Sequence, residues 1–246
     1  VTGRNDWSST LPEENNSFFC PSVNLSFIPT EAFDIQSDIL SYVKLRANYA
    51  EVGSDEDPYQ LDFRYFPSSQ IWGQYATHNF FPFGGRNGFE ATNIIPPTDL
   101  KPQRQVSYEL GGEVQLFDGR AGVDFTYYDV RTRDQIISIP IPETTGFAAN
   151  RTNIGEVSNE GIEAAFNLNP VRTDRFRWDI NANYTTNENT VVSLAPGVDE
   201  INIQSAFNSL QVKAAPGESF GLYGPGFLRN DAGEILIDPN TGLRQE

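Results

Sequence analysis

The chain has 246 residues, a net charge of −16 from 33 acidic and 17 basic side chains, and a hydrophobic share of only 38% beside 13% aromatics. Such acidity disfavours nucleic acid and anionic surfaces as partners, and the lone Cys20 and lone His78 exclude a disulfide framework, a cysteine-built metal centre and any Ser-His-Asp triad not built on His78. No apolar run is long enough for a transmembrane helix, but that leaves barrel strands open, because they alternate and carry little hydropathy signal.

In chain order, residues 1–17 are polar and rich in turn formers. Val23, Leu25 and Phe27 then alternate with Ser22, Asn24 and Ser26, and Pro29 ends this first predicted strand. Val43, Leu45, Ala47 and Tyr49 alternate with Lys44, Arg46 and Asn48 in a second. Residues 53–100 read as a long loop: the acidic run Asp55-Glu56-Asp57 comes first, then Trp72, Tyr75, Phe80 and Phe81. Connections of that length are usually functional.

The clearest alternation follows. Val106, Tyr108, Leu110, Gly112, Val114 and Leu116 share one parity, with Ser107, Glu109, Gly111, Glu113 and Gln115 on the other. Phe117-Asp118-Gly119-Arg120 turns the chain, and Val123, Phe125 and Tyr127 alternate with Asp124, Thr126 and Tyr128. This is an antiparallel pair with one apolar and one wet face. The second of these strands is predicted to run on towards Ile137, with a medium loop over 138–153. Ile162, Ala164, Phe166 and Leu168 alternate with Glu163, Ala165, Asn167 and Asn169, and Phe176, Trp178, Ile180, Ala182 and Tyr184 alternate with Arg177, Asp179, Asn181 and Asn183. From about Asn189 the pattern dissolves into a second long segment, 189–246.

Connections therefore alternate in length, short then long or medium. An up-and-down sheet puts every second connection at the same end, so one end carries tight turns and the other carries loops, as in an outer-membrane barrel. A secreted or surface β-sandwich that binds glycan or protein through residues 53–100 is the second reading. The two differ on whether Tyr108, Leu110, Val114, Val123, Phe125, Phe166, Trp178 and Ile180 form an exposed band or a buried core. Tyr127, Tyr128, Trp178 and Tyr184 are candidates for the aromatic girdle of a barrel.

Several segments carry a family resemblance. Leu100-Lys101-Pro102 through Ser107-Tyr108-Glu109-Leu110-Gly111, Phe117-Asp118-Gly119-Arg120 with Asp124-Phe125-Thr126-Tyr127-Tyr128, Asp134-Gln135-Ile136-Ile137, Asn153-Ile154-Gly155-Glu156-Val157 and Phe176-Arg177-Trp178-Asp179 stand in that order. Together with Lys44-Leu45-Arg46-Ala47, Val52-Gly53 and Ser219-Phe220-Gly221-Leu222-Tyr223-Gly224, they resemble the SusC/RagA class of TonB-dependent outer-membrane transporters. The resemblance implies an all-β, antiparallel up-and-down transmembrane barrel of roughly 22 strands around a plug. About six of those strands are expected in residues 1–246, which are read as part of one barrel domain. It implies import of an oligosaccharide or peptide, a SusD-type substrate-binding lipoprotein as partner, energy from the TonB complex, and outer-membrane lipid around the wall. The plug, the energy-coupling box and the aromatic C-terminal residue are not recognised here, so the chain reads as a piece of a longer protein.

On this reading Glu109, Glu113, Gln115, Asp124, Glu163, Asn167, Asp179 and Asn181 face the lumen, and Trp72, Tyr75, Phe80 and Phe81 are candidates to stack on substrate. No catalytic residue, cofactor or metal site is expected. Asp55, Glu56, Asp57 and Asp62 match no EF-hand spacing and read as solvated charge. Glu51 and Glu56 would serve glycoside hydrolysis only if held about 5 to 10 Å apart across a cleft.

Overall fold

The computed structural model describes residues 1–67, 84–206, 210–219, 221–223, 226–230, 232–239, 241, 243 and 244. Alternation dictates the elements. In chain order they are β1 (Thr2–Trp7), β2 (Ser17–Phe27), α1 (Pro29–Ala32), β3 (Leu40–Ser54), β4 (Tyr65–Pro67), β5 (Phe89–Ala91), β6 (Ile94–Ile95), β7 (Gln103–Leu116) and β8 (Ala121–Arg133). There follow β9 (Ile136–Pro140), β10 (Ala149–Asn153), β11 (Glu156–Arg172), β12 (Arg177–Ser193), β13 (Ile201–Ala206), β14 (Leu210–Ala214) and β15 (Gly221–Tyr223). The long strands form one antiparallel sheet in the order β1-β2-β3-β7-β8-β11-β12. Each neighbours its successor among the long strands, so the sheet is a meander with β1 and β12 as its edges.

The connections sort by end. At one end lie 28–39, 117–120 and 173–176; the connections between β1 and β2, β3 and β7, and β8 and β11 leave and re-enter the sheet at the other, where β12 also ends. The four-residue turn between β7 and β8 holds Phe117, Asp118 and Gly119 all at positive φ, so the left-handed run starts one residue before the expected Asp-Gly pair. Backbone bonds from Phe117 to Ile39 (2.8 Å) and from Asp118 to the Ser41 hydroxyl (2.7 Å) hold Phe117 in a conformation that costs a non-glycine residue energy.

Register joins the apolar positions into continuous rows. Ala47, Leu110, Tyr127 and Ile162 are successive partners across four strands, as are Val43, Val114, Val123 and Phe166. Leu110 is 59% exposed, Phe125 43% and Trp178 52%. The band is therefore open, which removes the sandwich reading. From Val106 to Leu116 it spans about 34 Å along the strand, or about 26 Å in height once the strand tilts as barrel strands do. That matches the hydrocarbon-facing belt of an outer-membrane barrel.

At the loop end the outward face changes character within two residues. The Tyr49 and Tyr108 rings lie 5.1 Å apart, Tyr49 donates to Glu51, and Tyr127 donates to Glu160. Above them Arg131 pairs with Asp129 and Glu156, and Arg133 pairs with Glu156. Tyrosines with an apolar body and a polar tip stand where grease gives way to water. Tyr128 is not among them: it faces the other way, and its hydroxyl donates to Asn187 (3.1 Å).

Two further points differ from expectation. β1 is a seventh wall strand; its polar sequence Thr-Gly-Arg-Asn-Asp-Trp shows no alternation, and it is held by its pairing with β2. β8 stops at Arg133 instead of running to Ile137, because Asp134 turns left-handed. β9 instead joins β10 and β6 in a small sheet that links the two loops. Nor is residue 189 an end of order: β12 continues to Ser193, and β13, β14 and β15 make another small sheet beyond it.

Candidate functional site: the polar face and the loop end

Opposite the apolar band, the same seven strands carry a polar face. Glu109, Glu113 and Gln115 on β7, Asp124 on β8, Glu163 and Asn167 on β11 and Asn181 on β12 lie at its register positions, and Asp179 continues the β12 series. Strand pairing brings their neighbours into contact. Arg46 reaches from β3 across β7 to β8, where it donates to both Asp124 oxygens (2.9 and 2.6 Å) and to the Thr126 hydroxyl (3.0 Å). It passes directly over Gly111, where a Cβ would sit 2.9 Å from its guanidinium.

Tyr128 does the same on the next strands, crossing Gly161 to reach Asn187. Asn48 donates to Glu109 (3.2 Å), Gln115 to Glu113 (2.7 Å) and Asn189 to Asn159 (2.8 Å). Polar side chains thus lie flat across the wall at Gly111 and Gly161, where glycine leaves the strand bare. Glycine within a strand marks such close approaches.

At the loop end a small apolar cluster of Leu11, Phe18, Cys20 and Leu100, flanked by Leu61 and Ile136, ties the connections to the wall. The Phe18 ring covers Gly53, whose N–H meets the Cys20 sulfur at 3.3 Å. The carboxylates of the first loop are divided among different partners. Asp55 accepts from Ser8 and Thr10, and the Ser8 hydrogen bond holds its carboxyl below the usual range. Glu56 pairs with Arg151 of the second loop (3.2 Å), and Glu51 pairs with Arg104. Glu51 and Glu56 are thus each tied to an arginine of a different element. Among the described residues, no three His, Cys, Asp or Glu side chains converge as a metal site would require.

Trp72, Tyr75, Phe80, Phe81 and His78 lie outside the described residues. Around them, β4 pairs with β5, so the chain entering and leaving that segment is held side by side. A ring cluster the sequence reading missed joins the loops here: Phe63 packs edge-on against Tyr65 (5.9 Å) and Phe147 (6.2 Å). Also missed were Arg46, Thr126, Tyr128 and Asn187. Parity would have placed them on the polar face; only register shows which of them meet.

Comparison with known proteins fits this geometry. A family model described as TonB dependent receptor-like, beta-barrel matches residues 1–229. TonB-dependent receptor P26 of Formosa agariphila is 28% identical over 253 residues, covering 99% of this chain and 24% of that protein. TonB-dependent receptor SusC of Bacteroides thetaiotaomicron is 30% identical over 200 residues, covering 80% of this chain and 19% of that protein. The RagAB peptide importer in its closed-closed state superposes with a TM-score of 0.72 at 20% identity, over 98% of this chain and 26% of that one. The chain thus spans about a quarter or less of the length of these relatives. It belongs to the TonB-dependent receptor β-barrel family and forms seven strands of an outer-membrane barrel wall of the SusC/RagA type.

Proposed function

We propose that residues 1–246 form part of one barrel domain of a TonB-dependent importer, supplying a stretch of pore wall together with long outer loops. The observation that carries this reading is the division of one sheet into an exposed apolar face and an interlinked polar face. Hydrocarbon meets the first and water meets the second. Glu109, Glu113, Asp124, Glu163 and Asp179 line the aqueous lumen and hydrate it; none serves as a catalytic group. Trp72, Tyr75, Phe80 and Phe81 offer flat rings to an oligosaccharide or peptide at the loop end. A SusD-type lipoprotein caps that end, and the TonB complex drives the cycle through other parts of the whole protein.

The test uses the full-length protein in its own outer membrane. Accumulation of labelled oligopeptides and oligosaccharides is measured with and without an uncoupler. Energy-dependent uptake of one class, reduced in a Trp72→Ala, Tyr75→Ala variant, supports the proposal. Failure of the intact protein to take up either class overturns it.

A further inference from the structure

The outward face carries its cations at one end only. Among the described residues of the seven wall strands, Arg104, Arg131 and Arg133 are the arginines or lysines that share the parity of the apolar band. All three stand at the loop end, above the tyrosines. Arg104 and Arg133 are cross-strand partners, and Arg131 is the partner of Val106 in the next row down. The Arg104, Arg131 and Arg133 side chains are 39%, 45% and 53% exposed, so a group outside the wall can reach them. At the short-turn end the same face carries Leu116, Leu168 and Trp178.

Their height matches a lipid headgroup layer. Arg104 lies two residues beyond Val106, about 7 Å along the strand and about 5 Å in height once the strand tilts. The polar headgroup region of a bilayer extends about 5–8 Å beyond the hydrocarbon on each side. Direct cross-strand partners stand about 5 Å apart at Cβ, and like charges placed so repel. Each of the two arginines meets a carboxylate on its far side: Arg104 meets Glu51 on β3, and Arg133 meets Glu156 on β11 through Nε (3.4 Å). Glu156 is shared with Arg131 (3.9 Å), which also holds Asp129 (3.3 Å). A guanidinium has five N–H donors and a carboxylate takes two in a fork, so both arginines keep donors for a further anion. The acidity of the whole chain does not forbid one here, because screening confines each exposed charge to about 8–10 Å. Nor do further wall strands cover the group: β7 and β8 already have both their neighbours in the sheet, and the interior of a barrel is the opposite face.

We infer that Arg104, Arg131 and Arg133 form a binding site for the phosphate of an outer-leaflet lipid headgroup. The phosphate oxygens take the remaining donors of Arg104 and Arg133 in charge-assisted forks across the seam between β7 and β8, and Arg131 supports them from the row below. Glu51 and Glu156 orient the two guanidiniums. The occupant is a lipid because the site is continuous with the band that meets hydrocarbon: the acyl chains run down over Val106, Leu110 and Phe125, which share that face. The inference concerns the face turned away from the pore and is independent of the cargo.

Full-length protein in dodecyl maltoside micelles is titrated with lipid A, a phosphorylated glycolipid, and with the same lipid stripped of its phosphates. Bound lipid is counted by native mass spectrometry. The wild type is compared with an Arg104→Gln, Arg133→Gln double variant and with Arg175→Gln, a turn arginine at the opposite end. The wild type and Arg175→Gln are expected to bind lipid A alike, and affinity is expected to fall about tenfold or more in the double variant or on removal of the phosphates. Equal affinity of the wild type for the two lipids, or no binding of either, overturns the inference without recourse to any variant that fails to fold. Equal binding of lipid A by the wild type and the double variant overturns it as well, as does an equal loss in Arg175→Gln. Uptake assays read the pore instead, so failure of the transport proposal and failure of the lipid site give different results.

Discussion

Leu110 and Gly111 are neighbours on β7, yet they stand on opposite faces of the sheet. Leu110 is 59% exposed on the apolar face, while Gly111 lies beneath the guanidinium of Arg46 on the polar one. On the outward face each side chain acts through its own transfer free energy, and its exact neighbours matter little. On the inward face the side chains are tied to one another across strands, and a bare glycine is what lets them cross. One face is specified by residue class and the other by register.

The largest expected effect comes from violating the class rule outside. Leu110→Arg in the full-length barrel is expected to cost about 2–4 kcal/mol near the membrane midplane. The same residue introduced by Gln115→Arg on the polar face is expected to change stability by no more than about 0.5 kcal/mol. Urea titration of the protein folded in lipid vesicles measures both. Equal costs for the two would mean that the faces do not meet different solvents.

Next comes the register rule inside. At Gly161 a Cβ would stand 2.2 Å from the Thr186 carbonyl oxygen and 2.6 Å from the Tyr128 hydroxyl. Because one of those atoms is backbone, Gly161→Val is expected to destabilise by about 1–3 kcal/mol through overpacking. Gly112 is the useful contrast, since its nearest atoms lie 3.7 Å away. The same titration should show Gly161→Val well below Gly112→Val; the reverse order would dismiss close crossing as the reason for the glycine.

A smaller effect than either of these losses is expected from Arg46→Met. The ion pair with Asp124 is well formed, but its side chains are 28% and 38% exposed, so water screens it. A loss of about 1 kcal/mol is expected, and Asp124→Asn in the Arg46→Met background should add almost nothing. Additive losses in that double-mutant cycle would show that the two groups act independently.

Much of this was legible in the chain itself. Period-two alternation at Val106–Leu116 and Val123–Tyr127 set the two faces, and the lengths of the connections set the two ends. Both are local properties, and one strand suffices to read them. β1 stayed hidden because a polar stretch without alternation owes its conformation to the partner it pairs with. The end of β8 stayed hidden because Asp134, a residue that tolerates the left-handed region, sits where the apolar pattern itself continues into Ile136 and Ile137.

The sequence by itself determined which residues are greasy, which are wet, and where the chain turns back, because a pleated strand sends alternate side chains to opposite sides. Only the tertiary structure decided that Arg46 meets Asp124 and that Tyr128 meets Asn187. Those contacts join residues up to two strands and tens of positions apart, and their geometry depends on the register of every strand between them.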